Sequence, residues 1–208
     1  MSEVTAIGRP RKFEEQTVLA AVMDIFWEKG FEGTAMSDLV EATGLQKGSL
    51  YGAFGDKRTL YLKALAFYDE TEVALAVDLL SGKCGGYELE APDAGYLRIA
   101  ALLQAVIDAV SVKGDRRGCL LCNAAVDQAP LDSATERSVT ASLECMEEAF
   151  LEAVRAIPDF VASVSEGRRT ARHLLSVYFG MRVLAKSGAP VAIMDDAKSG
   201  ALKGLHPL

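Results

Sequence analysis

Residues 44–61 read "GLQKGSLYGAFGDKRTLY". The stretch puts Gly48 and Gly52 inside a helix-forming run, beside Tyr51, Phe54 and the cations Lys47, Lys57 and Arg58. Glycine in a helix interior costs roughly 1 kcal/mol relative to alanine, so two of them on one short helix need a compensating reason. Counted from Leu50, Phe54 lies about 40° around a helix, and these two share an inward face. Gly48, Ser49 and Gly52 then point the opposite way. An outer face this bare lets the backbone press into a DNA major groove. The helix start would offer unpaired N–H groups and a positive dipole to phosphate. Tyr51 sits on the flank, within phenol reach of a backbone phosphate, and Lys57 adds a cation.

Working outward, the pattern stays helical on both sides. Val18, Val22, Ile25 and Phe26 form one amphipathic stripe that starts near Phe13 and stops at Gly30. Thr34 is placed to cap a second helix that runs through Asp38, Leu39 and Val40 to Thr43, with Gly44 ending it. The third helix covers about Lys47 to Phe54. Two short helices split by a glycine turn make a helix-turn-helix pattern. Asp56 caps a long fourth helix that fades near Ser81. The glycine-rich "GKCGGYELEAPDAG" reads as a loop. Further helices are predicted at about 94–112, 118–129, 133–156, 163–187 and 190–204, broken by "KGDRRG", Pro130, Pro158, and Gly188 with Pro190. No strand alternation, repeat or low-complexity tract interrupts them. The expected fold class is all-α. Residues 1–12 form a flexible basic arm, 13–55 a helix-turn-helix head, and 56–208 a body entered through a bridging helix at 56–81.

Composition narrows the function. Half of the 208 residues are hydrophobic and only 7% aromatic, which suits a helical core. The net charge of -7 argues against a protein that coats nucleic acid over its whole surface. The charge is uneven, however: residues 1–63 carry 8 Lys and Arg against 9 Asp and Glu, and residues 64–208 carry 14 against 20. The basic residues of the first part cluster at Arg9, Arg11 and Lys12, then Lys47, then Lys57 and Arg58, as local phosphate contacts require. The N-terminal stretch has no long apolar run behind its charges, so no signal peptide is expected. The longest apolar stretches, such as "IAALLQAVIDAV", read as too short and interrupted to span a bilayer. A cytoplasmic protein without membrane partners is the expectation.

The four cysteines, at 84, 119, 122 and 145, show no zinc spacing, and His173 and His206 stand far from them in sequence. No phosphate-binding glycine loop or Ser/His/Asp pattern is present. Neither catalysis, metal nor cofactor is expected. Cys119 and Cys122 do form a C-x-x-C pair at an apparent helix start beside Arg116 and Arg117. That setting lowers a thiol pKa and favours the reactive thiolate. It opens a second function, a redox or electrophile sensor using Cys119, and a third, an all-α thiol oxidoreductase. Buried inert cysteine is the plain reading of the same residues.

Residues 18–65, "VLAAVMDIFWEKGFEGTAMSDLVEATGLQKGSLYGAFGDKRTLYLKAL", resemble the DNA-binding head of the TetR family of bacterial transcriptional regulators. Phe26, Gly30, Phe31, Thr34, Gly44, Lys47, Gly48, Leu50, Tyr51, Phe54, Lys57 and Leu60 stand at the family's spacing. The resemblance implies a homodimeric, Ω-shaped helical protein whose heads read a palindromic double-stranded operator. It implies DNA contacts from Lys47, Ser49 and Tyr51, phosphate grips from Thr34 and Lys57, and a minor-groove arm carrying Arg9 and Arg11. Gln46, Gly48 and Gly52 complete the expected interface. Two positions depart from the pattern: Gln46 stands where a capping serine is common, and Gly52 and Ala53 replace a frequent His-Tyr pair. Base readout is thereby left to fewer side chains.

"RRGCLLCNAAVDQAP" and "GMRVLAKSGAP" look like the ligand-binding body of one subgroup of the same family. Family bodies take a small-molecule inducer between the middle helices and dimerise through the last two. Carried over, Leu103, Val106, Cys119, Met146 and Phe150 are the pocket candidates. The dimer seam falls at about 163–205, on a stripe of Leu174, Val177, Tyr178, Met181 and Leu184. The function expected is a ligand-responsive repressor, released from its operator by an inducer.

Overall fold

The computed structural model describes residues 11–83, 93–160 and 164–205, and the elements in them are helical with no strand. The chain divides into two compact units, with the boundary between Phe67 and Tyr68.

The first unit is built on α1 (Arg11–Gly33), α2 (Met36–Thr43), α3 (Lys47–Phe54) and most of α4 (Lys57–Tyr68). Val22, Phe26 and Trp27 of α1 are buried, together with Leu39, Leu50, Phe54, Leu60 and Leu65. Side chains of this size contribute about 1.5–3 kcal/mol each on burial. Tyr61 meets the edges of Phe26 and Phe31, both at 5.0 Å between ring centroids. The stop expected at Gly30 falls there: its φ of 73° breaks the helical path, and one more turn follows to Gly33. The capping expected of Thr34 does not occur. Its hydroxyl donates back to the Gly30 carbonyl at 2.6 Å, closing α1 rather than opening α2. The N-cap of α2 is Ala35, whose N–H donates to the Asp38 carboxylate at 2.8 Å. Asp56 does cap α4, accepting from the Thr59 N–H at 2.7 Å.

The chain stays helical from Lys57 to Ser81, through α4, a π-helical turn at Asp69–Val73, and α5 (Ala74–Ser81). A π turn inserts an extra residue into the ladder and re-aims the helix beyond it. The second unit continues with α6 (Ala94–Ser111), α7 (Leu120–Asp127), α8 (Ser133–Arg155), a 3-10 turn at Pro158–Phe160, α9 (Val164–Ser187) and α10 (Val191–Lys203). Asp132 starts α8 by accepting from the N–H and hydroxyl of Thr135, at 3.0 and 2.8 Å. α8 lies along α9, with α5 and α6 on α8 and α10 on α6 and α9. Arg168 bridges Glu147 and Glu148 across the α8–α9 seam at 2.8 and 2.7 Å, and Arg172 reaches Glu147 at 3.0 Å. Such exposed pairs add little stability; the apolar interior carries the unit.

α6 is longer than the apolar run that marked it in the sequence. Its 18 residues are long and apolar enough, by length and composition alone, to cross a membrane. One face is nevertheless buried in the body from Ala94 through Leu103 to Val110, and Arg98 lies on that face. α6 is a core helix.

Candidate nucleic-acid interface

α3 is the helix of the opening stretch. Leu50 and Phe54 are 1% and 5% exposed, so the inward pair is anchored in the core of the first unit. Gln46, Lys47, Gly48, Ser49, Tyr51, Gly52 and Ala53 are all exposed. A Cβ built on Gly48 or on Gly52 would meet no heavy atom within 4 Å. Nothing inside this unit therefore demands glycine at either place, and both lie on the open face.

The turn before α3 orients it. Gly44 adopts the left-handed conformation, φ 67°, and its N–H closes on the Val40 carbonyl at 3.0 Å. Gln46 is the N-cap in extended conformation, and its side chain makes no capping bond. The N–H groups of Ser49 and Leu50 turn back to the Gln46 carbonyl, at 2.9 and 3.1 Å, whereas those of Lys47 and Gly48 find no acceptor among the described residues. Free N–H groups at a helix start, next to Lys47, suit an anionic oxygen. Lys47 Nζ lies 5.7 Å from the Tyr51 ring centroid, and that ring is 39% exposed. Lys57 Nζ stands over the Phe31 ring at 4.4 Å, which holds its charge at the start of α4. Two expected contacts are placed differently. Thr34 is 1% exposed with its hydroxyl already donated, and so is not presented at the surface. Arg9 and the side chain of Arg11 lie outside the described residues; the backbone of Arg11 opens α1.

Residues 18–64 match the family model described as bacterial regulatory proteins, tetR family. The uncharacterized HTH-type transcriptional regulator YezE of Bacillus subtilis is 30% identical over 144 residues, 69% of this chain and 70% of that protein. The chain belongs to the TetR family. The HTH-type transcriptional repressor ComR of Escherichia coli is 28% identical over 185 residues, 88% of this chain and 84% of ComR. Among solved structures, the TetR family regulator CifR, a cysteine mutant in complex with a 26 bp double-strand operator DNA, superposes with a TM-score of 0.76. It is 30% identical and covers 94% of this chain and 98% of its own. The protein is thus a DNA-binding transcriptional regulator, not an enzyme, on the all-α TetR fold.

In this TetR body the expected pocket residues are all interior. Leu103, Val106, Met146 and Phe150 are at most 2% exposed. Cys119 and Met146 line one small, partly open cavity with Tyr68, Val73 and Tyr178; its volume is about 10 Å³, room for a single water. Leu103, Val106 and Phe150 line none of the described cavities. An open groove of about 330 Å³, not anticipated from sequence, runs between the π turn with α5 and α8. Asp69 lies on it, accepting from the Ser142 hydroxyl at 2.7 Å, and burial raises its carboxyl pKa.

Cys119 is the N-cap of α7 as expected, but the cation beside it is not. Arg117 pairs with Asp115 at 2.8 Å, and Arg116 is exposed. Arg182 of α9 supplies the charge instead. It donates to the Tyr178 hydroxyl from Nε and Nη2 at 3.2 and 3.0 Å, and to the Gly118 carbonyl at 3.3 Å. Gly118, at φ 74°, makes this approach possible, since a Cβ there would fall 2.8 Å from the Arg182 carbonyl oxygen. Tyr68 donates its hydroxyl to Cys119 Sγ at 3.5 Å. Burial alone would raise the Cys119 pKa; the hydrogen bonds from Cys122 and Tyr68 and the Arg182 charge overcome it and bring it to about 6. Cys122, as the proton-holding partner, is pushed far up. Tyr68 and Arg182 were missed in the sequence reading. Their only signal was polar groups at one-turn spacing, Tyr178 and Arg182, on an apolar stripe.

The expected dimer stripe also needs correction. Leu174, Tyr178 and Met181 are 0%, 3% and 0% exposed within the single chain, because α9 turns that stripe toward its own body. Val177 and Leu184 are half-buried. The face left open lies a third of a turn away, where His173, Ser176, Gly180 and Val183 repeat at helical spacing. Val183 is 53% exposed, and Ile193 on α10 is 46% exposed.

Proposed function

We propose that this TetR regulator is a homodimeric, ligand-responsive repressor of a palindromic operator. One observation carries the reading of the head: α3 offers an unobstructed backbone face, with free N–H groups at Lys47 and Gly48, flanked by Lys47, Ser49, Tyr51 and Lys57. Seated in a major groove, Ser49, Lys47 and Tyr51 meet base edges and flanking phosphates, while Lys57 holds a phosphate. The arm at 1–12, with Arg9 and Arg11, reaches the minor groove; residues 13–55 are the reading head. Two heads on half-sites about one helical turn apart, or a multiple of it, give the symmetry a palindrome requires.

The second copy is placed on α9 and α10 through Val177, Gly180, Val183 and Leu184, with Ile193. These apolar and small residues repeat at helical spacing; Gly180, Val183 and Ile193 are exposed in the single chain, and Val177 and Leu184 are half-buried beside them. The body proposed at 56–208 binds ligand and dimerises; the 56–81 helical run links it to the head and belongs to the head's compact unit as far as Phe67. An inducer in the body releases DNA, and the protein works in the cytoplasm. The test is footprinting on the DNA upstream of the gene, followed by anisotropy titration with the protected duplex. Protection without two-fold symmetry, or binding that ignores Lys47→Ala and Tyr51→Phe, would refute it.

The thiol cluster favours a second reading of the signal. A thiolate at Cys119 beside Arg182 can add to a quinone: sulfur bonds to a ring carbon, the enolate oxygen so formed takes a proton from water, and the ring carbon's own proton moves to the other carbonyl oxygen, giving a hydroquinone thioether. The adduct removes the negative charge facing Arg182 and the acceptor of the Tyr68 hydroxyl, at the point where α4 enters the π turn. Benzoquinone should then release operator from wild type and leave Cys119→Ser bound. Equal binding in both returns the search to a reversible inducer.

A further inference from the structure

We infer that Arg98 is an anion-binding group of the body, and that the effector of this protein carries a carboxylate on an apolar frame. The inference rests on the ligand-responsive reading above and names the chemistry of the ligand.

Arg98 is 3% exposed, in the second turn of α6. Its Nε and Nη2 are buried without a hydrogen-bond partner, and the residue makes no ion pair with the described residues. Arginine stays charged at any physiological pH. A buried cation lacking both counterion and acceptors is among the costliest arrangements in a protein. The other deeply placed arginine, Arg182, shows the contrast. It has a tyrosine hydroxyl, a carbonyl and a thiol of depressed pKa around it.

Long helical side chains lean toward the N-terminus of their helix, so the Arg98 charge is carried toward the start of α6. There Asp93 is the N-cap residue and makes no side-chain capping bond. The positive end of this 18-residue helix and a guanidinium whose Nε and Nη2 have no hydrogen-bond partner both favour an anion there. On the same face stand Ala94, Ile99 and Leu102, all buried. A carboxylate answers the planar fork of the guanidinium with two hydrogen bonds, and an apolar frame suits its neighbours. A bare inorganic anion would satisfy the charge but not those side chains.

The test is thermal melting of the full chain with benzoate and hexanoate, each against its neutral amide. At concentrations about tenfold above the dissociation constant, a bound carboxylate raises the melting temperature by a few degrees. The acids should stabilise wild type and the amides should not. Arg98→Met should abolish the shift and, in plain buffer, melt no lower than wild type, since it removes an unpaired charge while keeping volume. Arg98→Lys should keep a weakened response. Two results would overturn the inference. One is an acid shift absent in wild type or unchanged in Arg98→Met. The other is Arg98→Met melting well below wild type together with Glu88→Gln or Glu90→Gln, which would mean that the chain pairs the charge itself. DNA is absent from these melts, so a carboxylate that binds yet leaves operator affinity untouched would count against the inducer reading and not against the site.

Discussion

Replacing Gly52 with leucine separates folding from DNA binding. A Cβ at Gly52 meets nothing within 4 Å, so the side chain has room within the first unit. Leucine also outranks glycine as a helix former by up to about 1 kcal/mol, worth about 4–8 °C in melting temperature if the head melts as a unit of its own size. The cost falls on the complex. Four added carbons on the face that must enter the groove hold α3 away from it. If each head loses two or three hydrogen bonds at about 1 kcal/mol each, the loss is about 2–3 kcal/mol, or roughly 30- to 150-fold per head. With two heads on one operator, affinity falls by about a thousandfold or more. Calorimetry gives the melt, and anisotropy titration of a labelled operator duplex gives the affinity. A variant that melts as high as wild type and binds with wild-type affinity would refute the close-approach explanation of Gly52. Gly44→Ala is the paired control. Its Cβ also meets nothing, but at φ 67° it is strained by about 1–2 kcal/mol. It should lower the melting temperature and leave the affinity of the folded fraction unchanged.

Lys57→Ala should weaken binding to every sequence and flatten the salt dependence by about one phosphate contact; an unchanged slope would remove Lys57 from the interface. Val183→Glu should give a folded monomer with poor operator affinity, whereas Met181→Glu, which buries the charge, should fail to fold; sedimentation and circular dichroism separate the two. Thiolate absorbance at 240 nm should titrate with a midpoint about 6 in wild type and lose that step in Cys119→Ser. Because this pKa lies below the thiol's unfolded value, its contribution to stability is fully present above that value and is lost as pH falls through about 6. Asp69 has the opposite sign: burial raises its folded pKa, so the charged form is a cost at neutral pH. Asp69→Asn should raise the melting temperature at pH 7, and the gain should vanish in acid.

Residues 18–65 declared the head because its rules are local. Helix periodicity, a glycine turn at Gly44, a capping Asp56 and the inward pair Leu50 and Phe54 each depend on neighbours a few positions away. The open face of α3 followed from the same spacing. Thr34 marks where local reading ends: serine and threonine bond either forward to a helix start or back to a carbonyl four residues earlier, and only the packed turn at Gly30 selects the second. In the body the stripe Leu174, Tyr178 and Met181 was visible as apolar periodicity, but periodicity says that a face is covered, not by what. Burial of α9 against α8 and α10 within one chain assigns that stripe to the core and leaves Val183 and Gly180 outside. Cys119 was legible as a thiol at a helix start. Its partners Tyr68 and Arg182 are 51 residues before it and 63 after it in the chain. Contacts between residues so far apart depend on how the helices pack, which no local pattern encodes. For the same reason the sequence by itself determined that α6 is apolar, and only the tertiary structure decided that Arg98 would be buried there with no hydrogen-bond partner for its Nε and Nη2 among the described residues.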